Sequence, residues 1–500
     1  MKNTYIIIVA LLSFTISISQ TEKEKVQGTI TKGNIEGHIY FLADDLLKGR
    51  ETGTQENKIA ASYLANSFRR YGVKPNPKTG TYYQEVKLKR VSPPAEVNIE
   101  INGQEINDYA FVSPSPANID SDAVYLNYGL EDDYKGKDLK GKIIIIKSGS
   151  PEAKDTRAAF GLRGKKQELA QANGVTAILE LLNVDESIWG FIDHNFNGSK
   201  LMPAENEEDE NDKSYDEQTA HVWILDKDNK MIDALSASKS ISSKVSISEK
   251  KEEIVMSQNV IGIVEGTDPQ LKKEFIIYSA HYDHVGIGAP DETGDTIYNG
   301  ARDNAIGTTT VLSMAENLAK YPTKRSALFI LFTGEEKGLL GSEFYVANPV
   351  LPLNQMVYCF NSDNGGYNDI TLTTIIGLER TTAAEDIKSA SKVFGLTAID
   401  DPAPEQGLFD RSDNVHFAKK GIPSPTFSLG FSAFNGDVTK YYHRPGDEAD
   451  NLDYDYLVKF FSAYVLAGRN IANNPITPFW TPGDKYEKDG NKLYNKMIKK

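Results

Sequence analysis

The 500-residue chain has one cysteine, Cys359, and only seven histidines. A lone thiol excludes an intramolecular disulfide and any zinc site built from several cysteines, so a metal here must be held by histidine and carboxylate. Positive charge is also in short supply: 55 Lys and Arg face 70 Asp and Glu, for a net charge of −15. Such a chain is repelled by phosphate backbones, and no nucleic-acid partner is expected. With 40% hydrophobic and 25% charged residues the composition is neither disordered, collagenous nor that of a polytopic membrane protein. At roughly 100–200 residues per domain, the length implies two to four domains.

The chain opens MKNTYIIIVALLSFTISISQ, with a lysine near the start and an apolar run from Tyr5 to Phe14. That run is shorter than the ~20 residues of a membrane span. Small residues Ser17 and Ser19 stand at −3 and −1 from a cleavage point before Gln20. Residues 1–19 therefore read as a signal peptide, and the product as exported to a periplasm or the medium with no stable membrane association after cleavage.

From Thr29 to Tyr71 apolar residues recur every three or four positions, as in Ile35, Ile39, Leu42 and Ala60, Leu64, Phe68, which predicts helices framing the segment GRETGT. From Tyr82 to about Val112 the period shortens towards two, predicting strands with a hairpin at Asn102-Gly103. Residues 20–116 are read as the N-terminal part of a larger domain. Residues 117–248 read as an inserted module: a buried strand in GKIIIIKSG, a helix over Lys166 to Asn173 capped by Gly174, and a strand from Thr176 to Leu181. The acidic run ENEEDENDK inside it reads as a solvated loop.

Residues 249–475 alternate apolar strands with amphipathic segments, from EFIIYSA through AIGTTTVLSMAENLAKY and ALFILFTG to MVYCFNSD. The expected fold class is α/β, with a mixed, mainly parallel sheet flanked by helices and closed by a helix from Tyr454 to Asn473. Residues 476–500, a lysine-rich tail, read as a surface extension or an organised strap.

The residues directly after each strand carry the chemistry. One strand runs into His281-Tyr282-Asp283-His284, another into Thr333-Gly334-Glu335-Glu336, and a third into Asn361-Ser362-Asp363. Sites in open α/β sheets form at the carboxyl ends of strands. Several carboxylates in one crevice cost several kcal/mol unless a cation neutralises them, so a metal is the economical reading. The loop NGARDNA leads into a helix and sets Asp303 just before its N-terminus, and the segment YYHRPGD supplies His443. Singly, each residue has an ordinary structural explanation: Asp303 as a helix cap, Asp363 as the start of the turn at Asn364-Gly365-Gly366, His443 on the surface, Glu335-Glu336 as an exposed pair. Their joint occurrence in one order is what outweighs these. His284 and His416 read as packing or supporting residues, and His38, His194 and His221 are left unassigned.

The motifs SAHYDHVG, NGARDNAIG, FTGEEKGLLGS, NSD and YYHRPGD together resemble the two-zinc metallopeptidases of peptidase family 28, of the secreted bacterial aminopeptidase type. The stretch FLADDLLKGRETGT and the helix after it look like that family's usual entry, and DLKGKIIIIKSG resembles the β-rich protease-associated domain often inserted in its members. The resemblance implies a zinc exopeptidase fold and two Zn2+ ions per chain, one held by Asp303, Glu336 and His443 and the other by His281, Asp303 and Asp363, with Asp303 bridging. Two Zn2+, three ligand carboxylates and a bridging hydroxide are together neutral. By the same resemblance Asp283 would orient His281, Glu335 would be the general base of a metal-bridged hydroxide, and Tyr442 would stabilise the developing oxyanion, although Tyr441 is adjacent. Asp447 would anchor the His443 loop.

Three positions depart from the family pattern. Arg302 stands where an acidic or apolar residue is frequent, and either points outward or biases the site towards acidic substrates; Ile306 replaces a small residue. In RSDNVHFAKKGIP, Asn414 stands where histidine is common. The leading expectation is an exported zinc aminopeptidase acting on peptide substrates. A carboxypeptidase or dipeptidase for small acidic peptides shares every ligand, and a non-catalytic receptor-like binding protein is the alternative of a different class. Members that cyclise N-terminal glutamine usually work with one zinc, and the presence of both His281 and Asp363 argues against that route.

Overall fold

The structure, a computed structural model, describes residues 20–153, 156–204 and 219–495. The expected signal peptide, the acidic run and the last lysines of the tail lie outside the described residues. The chain divides into two compact units, one formed by Met1–Val86 with Ser257–Lys500 and the other by Lys87–Met256.

The first unit is organised on a mixed sheet. Its strands include β1 (Lys251–Val264, within this unit from Ser257), β2 (Phe275–His281), β3 (Ser326–Phe332), β4 (Met356–Ser362), β5 (Leu372–Ile376), β6 (Thr397–Asp400) and β7 (Thr426–Leu429), in the spatial order β6-β5-β7-β4-β2-β3-β1. The pairs β2–β3, β2–β4, β4–β7 and β5–β6 are parallel, whereas β1–β3 and β5–β7 are antiparallel. Every residue of β3 and β4 is buried, as a sheet covered on both faces requires. Side-chain alternation assigns the faces: Ala327, Phe329 and Leu331 of β3 enter one core, and Leu328, Ile330 and Phe332 the other.

The first core is covered by α1 (Lys32–Leu42), α2 (Gln55–Tyr71), α3 (Gly307–Lys320), α5 (Ala384–Val393) and α7 (Tyr454–Asn473); the second by α4 (Leu340–Ala347) and α6 (Asn414–Lys419). Helix α7 has the bounds its apolar periodicity predicts. Asp453 caps it by accepting from the Tyr456 N–H, and the Tyr464 ring stacks on Phe360 at 4.5 Å between centroids. The described part of the C-terminal tail is an organised strap: Trp480 is buried and donates its indole N–H to the Gly421 carbonyl, and Asp484 pairs with Arg380. No described helix is long and apolar enough to cross a membrane.

The second unit carries an eight-stranded sheet whose centre, Ala117–Tyr125, Ile143–Lys147, Ala177–Leu182 and Ala220–Leu225, is parallel. It is wider than the 117–248 segment read from sequence, because Val97–Ile101 and Tyr109–Ser113 pair into its sheet. Asn102 and Gly103, both with positive φ, form the expected hairpin turn. The expected helix over 166–173 is longer, Thr156–Ala172. From it a fully buried Lys166 reaches the Glu180 carboxylate at 2.5 Å; the other Glu180 oxygen takes His221 and the Trp223 indole N–H, each at 2.8 Å.

Candidate metal centre

Because β2, β3 and β4 are parallel neighbours, their carboxyl ends open on one edge of the sheet. His281 is the last residue of β2, Thr333-Gly334 turns the chain after β3 so that Glu335 and Glu336 come next, and Asp363 comes directly after β4. Asp303 lies in the turn Ala301–Ile306 ahead of α3, where it and Asn304 depart from helical geometry, and its peptide bond to Asn304 is cis. His443 lies with positive φ in the loop between β7 and α7.

These five side chains converge. The two oxygens of Asp303 face opposite ways: Oδ1 lies 3.3 Å from His281 Nε2, which is also 3.3 Å from Asp363 Oδ1. Oδ2 lies 3.3 Å from His443 Nε2, which is 3.0 Å from Glu336 Oε2. Donors bound tetrahedrally at ~2.0–2.2 Å from a zinc ion stand roughly 3.3–3.5 Å apart, close to the 3.0–3.3 Å between these atoms. His443 Nε2 is shielded from solvent and makes no aligned hydrogen bond, as expected of a nitrogen directed at a point between carboxylates. Two imidazoles, three carboxylates and no thiolate form a donor set suited to zinc.

The electrostatics mark the cluster as one that attracts positive charge. Burial alone would lower His443, yet Asp303 and Glu336 override it and raise its pKa to about 10. His281 is likewise raised well above its ordinary value despite burial, by Glu335, Asp363 and Asp303. Burial and the Asp303 charge push Glu336 up, but His284 and His443 outweigh them and hold it at about 2. Glu335 moves the other way: desolvation, reinforced by Asp363 and Glu336 and opposed by His281, raises it well above the usual carboxylate range. That is the direction a group must move to carry a proton near neutrality.

Each supporting residue has a defined partner. His281 Nδ1 lies 3.2 Å from the main-chain carbonyl of Asp283 and 3.8 Å from its carboxylate, so the carbonyl is the closer orienting partner. The Asp283 carboxylate accepts from the Thr52 hydroxyl and from the Glu335 N–H, tying the ends of β2 and β3 together. His284, read from sequence as packing or support, places Nδ1 2.6 Å from Glu336 Oε1 and joins the Asp303, Glu336 and His443 group. Its signal was the three-residue spacing from His281 at a strand end. Arg302 points inward: it pairs with the Asp447 carboxylate at 3.0 Å, donates to Asn451, and lies 4.1 Å from the centre of the Tyr441 ring. Asp447 also accepts the N–H groups of Arg302 and Asp303. With Tyr441 occupied by Arg302, Tyr442 is the tyrosine that faces the crevice, its ring stacked on His443 at 3.9 Å. Asn414 donates to the carbonyls of Phe409 and Ser424, away from the metal donors. His416, beside Ser342, and His38, between the Tyr63 and Tyr71 hydroxyls, lie outside both donor groups.

A pocket of about 110 Å³ opens from His281, Asp303, Glu335 and Asp363. Ile376, Leu408, Phe431, Phe434 and Val438 give it apolar walls, and Arg411 lines it too. Gly365 and Gly366 allow the approach of its wall: a Cβ on Gly366 would lie 2.1 Å from the Val438 carbonyl oxygen. Beyond Tyr442 and His443 a larger groove of about 670 Å³ runs between the 289–293 and 440–446 segments.

The family model described as Peptidase family M28 matches residues 259–467, the segment that holds all five candidate ligands. The chain is 26% identical over 436 residues to Aminopeptidase YwaD of Bacillus subtilis (strain 168), covering 84% of this chain and 81% of that protein. It is 23% identical over 460 residues to a probable leucine aminopeptidase 2 of Aspergillus oryzae, covering 86% and 84%. Among solved structures, an aminopeptidase from Aneurinibacillus sp. strain AM-1 superposes with a TM-score of 0.59 at 22% identity, covering 92% of this chain and 98% of that one. BSAP, a zinc aminopeptidase from Bacillus subtilis, does so with a TM-score of 0.50 at 23% identity over 88% and 94%.

Proposed function

We propose that the chain, matched over residues 259–467 by peptidase family M28, is an exported zinc aminopeptidase that holds two Zn2+ ions and releases N-terminal residues from peptides. The observation that carries this reading is the Asp303 carboxylate, shared between His281 with Asp363 on one side and His443 with Glu336 on the other. The relatives named as aminopeptidases support the reaction class. The apolar run Tyr5 to Phe14 supports export, and the parallel-centred sheet of the Lys87–Met256 unit is assigned to the protease-associated domain.

When bound, a pair of divalent ions supplies positive charge that polarises the scissile carbonyl and eases deprotonation of water near neutral pH. The protein's own groups do the rest. Glu335, which directly precedes Glu336 and lines the pocket with His281 and Asp363, takes the proton of the attacking water and returns it to the departing amine. The Tyr442 hydroxyl, kept protonated by burial and the surrounding carboxylates, donates to the oxygen on which negative charge develops. Asp283 fixes the strand ends that set Glu335 and His281. The pocket behind His281 and Asp363 receives the N-terminal side chain, aliphatic or aromatic given its walls, and the groove beyond Tyr442 and His443 leaves room for the rest of the peptide.

One observation favours the second reading, a carboxypeptidase for small acidic peptides: Arg411, on the same pocket, makes no ion pair among the described residues and suits a substrate carboxylate. Arg302, the other candidate for that role, is engaged with Asp447. Release of free amino acids from peptides with blocked and unblocked N-termini, with and without chelator, tests the assignment. Chelator-sensitive cleavage that N-acetylation abolishes is expected; cleavage indifferent to acetylation contradicts the aminopeptidase, and no cleavage at all contradicts the enzyme.

A further inference from the structure

The segment GRETGT contributes none of the metal donors, yet its arginine lies at the centre of the loops that carry them. Arg50 is buried, at 1% exposure, and among the described residues no carboxylate lies within ion-pairing distance of it. A buried cation without a partner is costly and calls for full hydrogen bonding. Arg50 satisfies itself entirely on main-chain carbonyls. Nε donates to Tyr282 at 2.9 Å, one terminal nitrogen to Asn299 at 2.5 Å and to Leu42, and the other to Gly300 at 3.1 Å.

Those acceptors are not scattered. Tyr282 sits between His281 and Asp283-His284, while Asn299 and Gly300 lead into the Ala301–Ile306 turn that presents Asp303. Leu42 is the last residue of α1, so the fork also fastens both loops to a helix end. The arginine is itself held. Gly49 and Arg50 both adopt positive φ, and Gly49 is pressed so closely against the Gly286 and Tyr298 carbonyls that a Cβ there would lie 2.6 and 2.5 Å from them. The Asn57 side-chain amide donates to the Arg50 carbonyl at 3.0 Å.

We infer that Arg50 is a positioning residue of the metal centre: its guanidinium sets the distance between the loop following His281 and the loop preceding Asp303, and thereby the span between the two donor groups. The inference rests on the metallopeptidase reading. It depends on the planar fork rather than on charge alone. Lysine's three donors share one nitrogen, whereas these carbonyls are reached from three nitrogens spread across the guanidinium plane. The charge acts as well, since Asp283, Asp303, Asp447 and Glu336 all interact with Arg50 across the interior.

The test is zinc affinity, measured on metal-free full-length protein by competition with a chromophoric chelator and by elemental analysis. Arg50→Lys is expected to bind zinc about tenfold more weakly than wild type, the low end of the loss seen when a group that orients metal ligands is removed. Arg325→Lys is the matched control. Arg325 is equally buried, but its bonds go to Glu274, Ile471, Asn474 and Thr477, none of them in either donor group. It should lower the melting temperature while keeping wild-type zinc affinity. Equal zinc affinity in Arg50→Lys and wild type, or equal losses in both arginine variants, overturns the proposal. Should Arg50→Lys not accumulate as folded protein, Asn57→Ala takes its place, with a smaller loss expected and unchanged affinity contradicting the inference. A wild-type chain that retains no zinc overturns the metallopeptidase reading itself, and this proposal with it.

Discussion

Replacing Arg302 by methionine removes a buried cation while keeping most of its aliphatic bulk. In the native chain Arg302 is 4% exposed and Asp447 1% exposed, and the two are paired at 3.0 Å. Breaking such a pair from one side costs ~3–5 kcal/mol, because the remaining charge stays buried. Asp447 keeps two main-chain donors, the N–H groups of Arg302 and Asp303, so the cost falls near the lower bound, about 3 kcal/mol. At roughly 2 °C per kcal/mol for a large domain, the melting temperature of metal-free protein should drop by about 6 °C.

The deficit has a pH signature. Burial already raises the Asp447 pKa against the pull of Arg302, and the variant loses that pull, so the carboxyl rises further. A folded-state pKa above the unfolded one gives stability that is complete below the unfolded value and lost as pH rises through the folded value. The gap between variant and wild type is therefore widest near neutrality and narrows on acidification towards the ordinary carboxylate range. Calorimetry of zinc-free protein at several pH values is the assay, since bound metal would add its own stabilisation. A change within the ~0.5 kcal/mol of an ordinary surface substitution, or a pH-independent gap, would refute the reasoning.

Glu335→Gln should keep wild-type zinc content and lose about 10²–10⁴ in kcat, read by elemental analysis beside steady-state kinetics; near-normal turnover removes Glu335 as the base. Ser428→Leu, which adds bulk to the pocket wall, should lower the ratio of kcat/KM for leucyl over alanyl substrates by at least about tenfold, and an unchanged ratio would mean the N-terminal side chain binds elsewhere. In the second unit, burial raises the Glu180 pKa but His221 and Lys166 bring it below its ordinary value. A depressed carboxyl pKa gives stability that is present above the unfolded value and lost as pH falls through the folded one. Lys166→Met should therefore destabilise the unit by ~3–5 kcal/mol at neutral pH and less in acid, measured by urea denaturation.

The strands and helices around the site were legible because each is long and strongly periodic. The turn residues that end β2, β3 and β4 were legible because chemistry-bearing side chains sit directly after apolar runs. What the residue pattern hides is non-local. Nothing in Val97–Ile101 says which sheet it will join, and its pairing with Ser242–Ile247 is what moves the second unit's start to Lys87. Tyr441 and Tyr442 are indistinguishable as letters; the Arg302 guanidinium over one ring separates them. Arg50 left no trace either, since its partners are main-chain carbonyls, which every residue has. His284 did leave one, three residues from His281, but a second histidine after a strand reads equally well as packing.

The central claim is that Asp303 is shared between two metal ions, and diffraction from zinc-loaded crystals on both sides of the zinc absorption edge tests it most directly. Two anomalous peaks are expected, one contacting His281 and Asp363, the other His443 and Glu336, with Asp303 touching both. A single peak, or none within reach of Asp303, would contradict the account.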